Sequence, residues 1–195
     1  MKSTHNTMIA YGKSTLATLG IVTGTALLMA ACNVTPKVRP FDQTTISQKV
    51  QVPAGNVIAL ETTATGNLTY VCRNDIPTAG SMGWALVTPS AKLYDREGKE
   101  IGVYSGPPAT WTLSDGSSVV GTQIAIEPVV GGIHIPLQLS TARPGMAPGM
   151  LSNITYIQRV NTKNGADFVT ACTQSEIGKT VVRPYQADYI FWKAA

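Results

Sequence analysis

Past Val52 no window of the chain holds a sustained 3.6-residue apolar period with helix caps. β-Branched and aromatic runs alternate instead with Gly, Pro and Asp turn signals at short intervals. That punctuation confines the chain to an all-β fold, a single antiparallel β-sandwich or barrel-like domain of low helix content. The candidate strands are residues 56–63, 68–73, 82–88, 91–94, 101–104, 111–113, 119–126, 133–139, 154–161 and 181–192. Asp95-Arg96-Glu97-Gly98-Lys99 reads as a hairpin turn with Gly98 free to take positive φ, and Asp115-Gly116-Ser117 as another. Pro136 demotes residues 133–139 to an edge or bulged strand. Residues 143–150, with two prolines, two glycines and two methionines, read as an exposed irregular loop. In the last strand Tyr185, Ala187, Tyr189 and Phe191 share one face, and Gln186, Asp188 and Ile190 the other.

A different kind of segment precedes this domain. Lys2 and Lys13 stand in an acid-free start, and residues 14–36 carry no charge. Met29-Ala30-Ala31-Cys32 resembles the lipobox of bacterial lipoproteins, in which Leu is commonest where Met29 stands. The resemblance implies removal of residues 1–31 as a signal peptide and acylation of Cys32 with chains such as palmitate. A membrane-spanning helix competes, because the uncharged run could cross a bilayer of about 30 Å. Thr15, Thr18, Gly20, Thr23, Gly24 and Thr25 dilute it, however. Several acyl chains, each contributing about 0.8 kcal/mol per buried CH₂, would anchor the protein to a membrane. Asn33, where an Asp favours inner-membrane retention, points by the same resemblance to the outer membrane.

Residues 32–51, with Pro36 and Pro40, are expected to be a mostly extended tether, and residues 52–195 one domain. The leader takes two of the 15 basic residues and none of the 11 acids, which leaves a nearly neutral remainder. With no basic run interleaved with aromatics, nucleic acid is set aside as a partner. Cys72 and Cys172 are the other two cysteines, and in an oxidising periplasm they are most simply a disulfide. Two buried thiols are the alternative.

The order Val52-Pro53-x-Gly55, Tyr70-x-Cys72-Arg73, Trp84, Ala91-x-Leu93-x-Asp95-x-x-Gly98, Gly106-Pro107, Trp111, Asp115-Gly116-Ser117-x-Val119-x-Gly121 is distinctive. Ile157-Gln158-Arg159-Val160-Asn161-Thr162, Cys172 and Val182-x-x-Tyr185-x-Ala187-x-Tyr189 continue it. Together they resemble domain of unknown function 3455, a family of secreted bacterial and fungal proteins. In that family a His usually precedes the Tyr that is Tyr104 here, and a Trp follows the Ile-Pro that is Ile135-Pro136. Val103 and Leu137 stand there instead, so no role of that His or Trp transfers. The resemblance implies fold and export, and no activity.

Chemistry is thin on this chain. Without its leader the chain has one histidine, His134, between Ile133 and Ile135, and no Gly-x-Ser-x-Gly elbow. A packed, hydrogen-bonded role is the better reading for it, and neither a catalytic triad nor a zinc site can be assembled. Met82, Met146, Met150 and His134 could in principle suit Cu(I), but loop methionines lack fixed geometry. No metal and no cofactor is expected. Asp75, Asp95, Glu97 and Asp115 sit in turns, where Asp bonds nearby amides. Arg159 is expected either to reach the surface or to pair, with Asp188 or Glu127 as natural partners.

Trp84, Tyr104, Trp111 and Asp115 are the candidates for an aromatic cleft for sugar or lipid, with Tyr156 and Trp192 as further lining and residues 106–115 as its rim, although aromatics at alternating strand positions are more often core. The leading expectation is thus a non-enzymatic binding or envelope-maintenance module, taking a small-molecule, glycan or protein partner. The alternative is a hydrolase of an envelope polymer, which needs two carboxylates within about 5–10 Å in an open cleft. Glu61, Glu127 or Asp115 converging beside exposed tryptophans would mark it.

Overall fold

In a computed structural model that describes residues 39–76, 81–145 and 147–195, this strand-and-turn chemistry closes one sheet on itself. The strands are β1 (Asn56–Ile76), β2 (Ser81–Tyr94), β3 (Glu100–Ser105), β4 (Thr110–Leu113), β5 (Ser118–Glu127), β6 (Leu137–Pro144), β7 (Ile154–Asn164) and β8 (Thr180–Ala194). Each pairs antiparallel with the next, and β8 returns to β1, making an eight-stranded up-and-down barrel. Of the two architectures expected, the barrel is the one formed. The leader, Cys32 and Met146 lie outside the described residues.

Three strand boundaries differ from the sequence reading. Residues 56–63 and 68–73 belong to one strand, because Gly66 is no turn. A Cβ there would stand 2.1 Å from the Ser90 carbonyl oxygen, so the glycine lets β1 and β2 lie close. Residues 82–88 and 91–94 likewise join through Pro89. The strand expected over residues 133–139 begins only at Leu137, and it runs into the expected loop as far as Pro144. His134 makes an isolated bridge to Gly165, and its Nδ1 accepts the Asn164 N–H at 2.7 Å.

The interior is filled, not hollow. Trp111 is 2 % exposed and packs on Tyr104, Tyr189 and Phe191, with ring centroids 4.7, 5.2 and 6.2 Å away. Gly121 makes room for it, since a Cβ there would lie 2.7 Å from the indole.

A second apolar layer lies on the outside. Ile190 and Trp192, on the same outward face of β8, are both buried, with Val50, Val52, Leu139 and Val160 in the same cluster. The segment expected to be tether supplies that cover. Gln43–Thr45 and Gln48–Val50 form short 3₁₀ turns, and Val50 is wholly buried. Gln158, also wholly buried, pins the segment by donating to the Val50 carbonyl at 2.7 Å and accepting from Trp192 Nε1 at 2.8 Å. The part of the tether that packs is therefore a strap. Its apolar residues follow neither strand nor helix spacing, so periodicity did not mark it.

Four phenols fill the interior. Burial pushes Tyr70 up to about 12 and also raises Tyr104, Tyr185 and Tyr189, while the Arg159 guanidinium pulls each back. In the unfolded chain these phenols ionise near pH 10, roughly the model-compound value. The folded protein holds the proton longer, so its stability is complete below that pH and is lost as pH rises through about 10 toward 12. Ultraviolet tyrosine titration should show a group that ionises only together with unfolding. Ionisation of every tyrosine near pH 10 with unchanged circular dichroism would refute this.

Candidate functional site

One end of the barrel is sealed by the β7–β8 connection. Phe168 from that connection meets Tyr70 edge-on at 4.9 Å and stacks on Trp84 at 5.8 Å. Tyr70 donates to the Gly165 carbonyl at 2.8 Å, and Trp84 Nε1 to that of Thr170 at 2.9 Å. The Cys72–Cys172 disulfide, with Cα atoms 5.4 Å apart, ties the same connection to β1. Arg159 points to this region and donates through Nε and Nη2 to the Pro136 carbonyl at 3.1 and 3.0 Å. It pairs with neither Asp188 nor Glu127. The carbonyl satisfies the guanidinium inside the barrel, and both carboxylates are engaged elsewhere.

The four residues proposed for an aromatic cleft do not come together. Tyr104 and Trp111 stack on each other inside the core. Trp84 belongs to the seal. Asp115 lies in the β4–β5 turn, at the opposite end, and accepts from the Met150 N–H at 2.8 Å and from the Ser117 N–H and hydroxyl at 2.9 and 2.6 Å. Those bonds hold its carboxyl below the ordinary carboxylate value, the Met150 amide foremost. Asp115 fastens two loops together. Of the expected rim, Gly106, Pro107 and Ala109 line an apolar notch of about 180 Å³ together with Leu86, Pro89 and Tyr104.

The main concavity lies on the outer wall, across β7, β8 and β1. Thr63 stands opposite Asp188, and Thr65 opposite Gln186. On the other side β7 gains a residue, for Val160 faces Asp188 but Lys163 faces Gln186. This bulge places Asn161 at φ 49 and re-aims its side chain. Thr63, Thr65, Asn161, Lys163, Gln186 and Asp188 then line a groove of about 630 Å³. It offers hydroxyls, amides, one ammonium and one carboxylate, and no aromatic ring.

The carboxylates next to the groove are committed. Asp188 accepts from Asn161 Nδ2 at 2.8 Å and lies 3.6 Å from Arg96 Nη1. Arg96 also forms a close ion pair with Glu61, whose other oxygen accepts the Phe41 N–H at 2.8 Å. Glu127 faces Lys49 at 3.7 Å. Glu61 and Asp188 thus converge on a guanidinium, away from any exposed tryptophan, and Glu127 and Asp115 stand apart. Among the described residues no group of three or more His, Cys, Asp or Glu is placed to hold a metal. The polar face of β8 was legible in the alternation of Gln186 and Asp188. The bulge was not, because nothing in Val160-Asn161-Thr162-Lys163 fixes which residue loses its partner.

The family model described as a protein of unknown function, DUF3455, matches residues 53–193. No curated protein and no solved structure matches.

Proposed function

The chain belongs to the DUF3455 family of proteins of unknown function, and from that premise we propose that it is an exported, lipid-anchored envelope protein whose barrel is a non-enzymatic binding module. The observation that carries the reading is the groove over the β7 bulge. Its hydroxyls and amides can both donate and accept, and Lys163 and Asp188 balance in charge. Such a lining suits a neutral, hydroxyl-rich ligand, which in an envelope means a glycan. The lipobox-like Met29–Cys32 run supports export, and so does the Cys72–Cys172 disulfide, a bond that persists in oxidising compartments. Carboxylate-dependent hydrolysis fits less well. It needs two carboxylates free in an open cleft, whereas Glu61 and Asp188 are both tied to Arg96.

Two measurements test the parts separately. Intact-mass analysis of protein from the envelope should find Cys32 as an acylated first residue; an unprocessed or unacylated terminus overturns the anchor. Calorimetric titration with soluble envelope oligosaccharides should show saturable binding. Gln186→Ala or Lys163→Ala should weaken it roughly 3- to 10-fold, the effect of one lost hydrogen bond at about 0.5–1.5 kcal/mol. Wild-type affinity in both variants, or no saturation, removes the groove as the site.

A further inference from the structure

The barrel is closed, yet one strand keeps a bare edge. β2 pairs with β1 along nearly its whole length, but β3 covers only residues 90–94 of it. Residues 82–89 therefore have β1 on one side and, among the described residues, no main-chain partner on the other. Behind residues 85–89, β1 is still paired with β8, and only from Cys72 onward do β1 and β2 run past the end of β8 as a two-stranded ribbon.

The two edges of this ribbon are treated differently. On the β1 side, Cys72 bonds in both directions to the β7–β8 connection, donating to the Lys179 carbonyl at 2.9 Å and accepting the Gly178 N–H at 3.0 Å. The Arg73–Asp75 ion pair at 2.8 Å stands just beyond it. Proteins guard strand edges by such cover and charge. The β2 side has neither. Residues 76–91 contain no charged side chain, and within residues 82–89 the one proline is Pro89. Leu86 and Val87 on this edge are 48 % and 41 % exposed; Val103, paired with Lys92 beyond the edge, is 45 % exposed.

We propose that this edge binds a second copy of the chain by antiparallel strand pairing over residues 82–88. The chemistry on the page favours that occupant. A two-fold axis presents each copy with the same row of unpaired N–H and C=O groups, and an uncharged strand meets itself without like-charge repulsion. Pro89, which lacks an N–H, limits the register at one end. Centring the paired segment places Ala85 on the axis, with Trp84 opposite Leu86 of the second copy. The apolar notch beside Leu86 would be covered in the same step.

The test uses the full chain in a non-ionic detergent. Light scattering corrected for detergent should give a dimer mass for wild type and a monomer mass for Leu86→Lys, which sets two ammonium groups beside the axis. Leu86 is half-exposed, so that variant should keep the wild-type circular dichroism spectrum. In parallel, Ala85→Cys should cross-link to itself under mild oxidation, and Val103→Cys, exposed but off the edge, should not. A monomeric wild type overturns the proposal, as does a dimer that survives Leu86→Lys. Equal cross-linking at both positions overturns it too. A monomer whose residues 82–88 become protected from hydrogen exchange only when another envelope protein is added would assign the edge to a foreign strand instead.

Discussion

Replacing Cys72 and Cys172 together by serine is expected to lower the stability of the barrel by about 4.7 kcal/mol, the chain-entropy value for a closed loop near 100 residues long. For a domain of this size that corresponds to a fall in melting temperature of roughly 10–20 °C, at about 2–4 °C per kcal/mol. The bond spans 100 positions, so the unfolded chain gains most of the freedom that cross-linking removed. The folded state also loses one fixing of the connection that carries Phe168 over the barrel end. Thermal unfolding followed by circular dichroism, on the double variant and on wild type with and without reductant, checks the expectation. Two transitions that coincide, with reductant making no difference, would show that the bond does not form.

Truncating Trp111 to alanine should cost about 3–5 kcal/mol, as large-to-small changes at buried aromatic positions do. The indole sits among Tyr104, Tyr189 and Phe191, and the neighbouring position is Gly121, which has no side chain to fill a void. Its Nε1 is buried without a hydrogen-bond partner among the described residues. Trp111→Phe should therefore be far milder. It leaves a smaller gap and also removes a donor whose burial costs about 1–3 kcal/mol. Urea unfolding of both variants separates the contributions. Equal losses for alanine and phenylalanine would mean that the indole nitrogen, and not the ring volume, holds the core.

The fold was legible where residues obey a period. Tyr185, Ala187, Tyr189 and Phe191 alternate, and all four point into the core. Asp95 to Lys99 and Asp115 to Ser117 turn where their side chains bond the following amides. The single strand over residues 56–76 was not legible as one, because a glycine at a close backbone approach, such as Gly66, carries the same letter as a glycine in a turn. For the strand aromatics core is the better reading and a cleft the alternative, because composition cannot tell an inward ring from an exposed one. Closure of the barrel turns Tyr104 and Trp111 toward each other. The outer groove depends on a one-residue slip between β7 and β8, a property of pairing and not of either strand alone.

The strap against the outer wall also sets a leash length. Among the described residues Phe41 is the first bonded to the barrel, through Glu61. With the anchor proposed at Cys32, only the nine steps from there to Phe41 separate lipid from wall. At roughly 3.3–3.6 Å per residue, even a fully stretched chain covers about 30 Å. The barrel would then ride close to its own leaflet, and anything it grips must be found within that short stand-off.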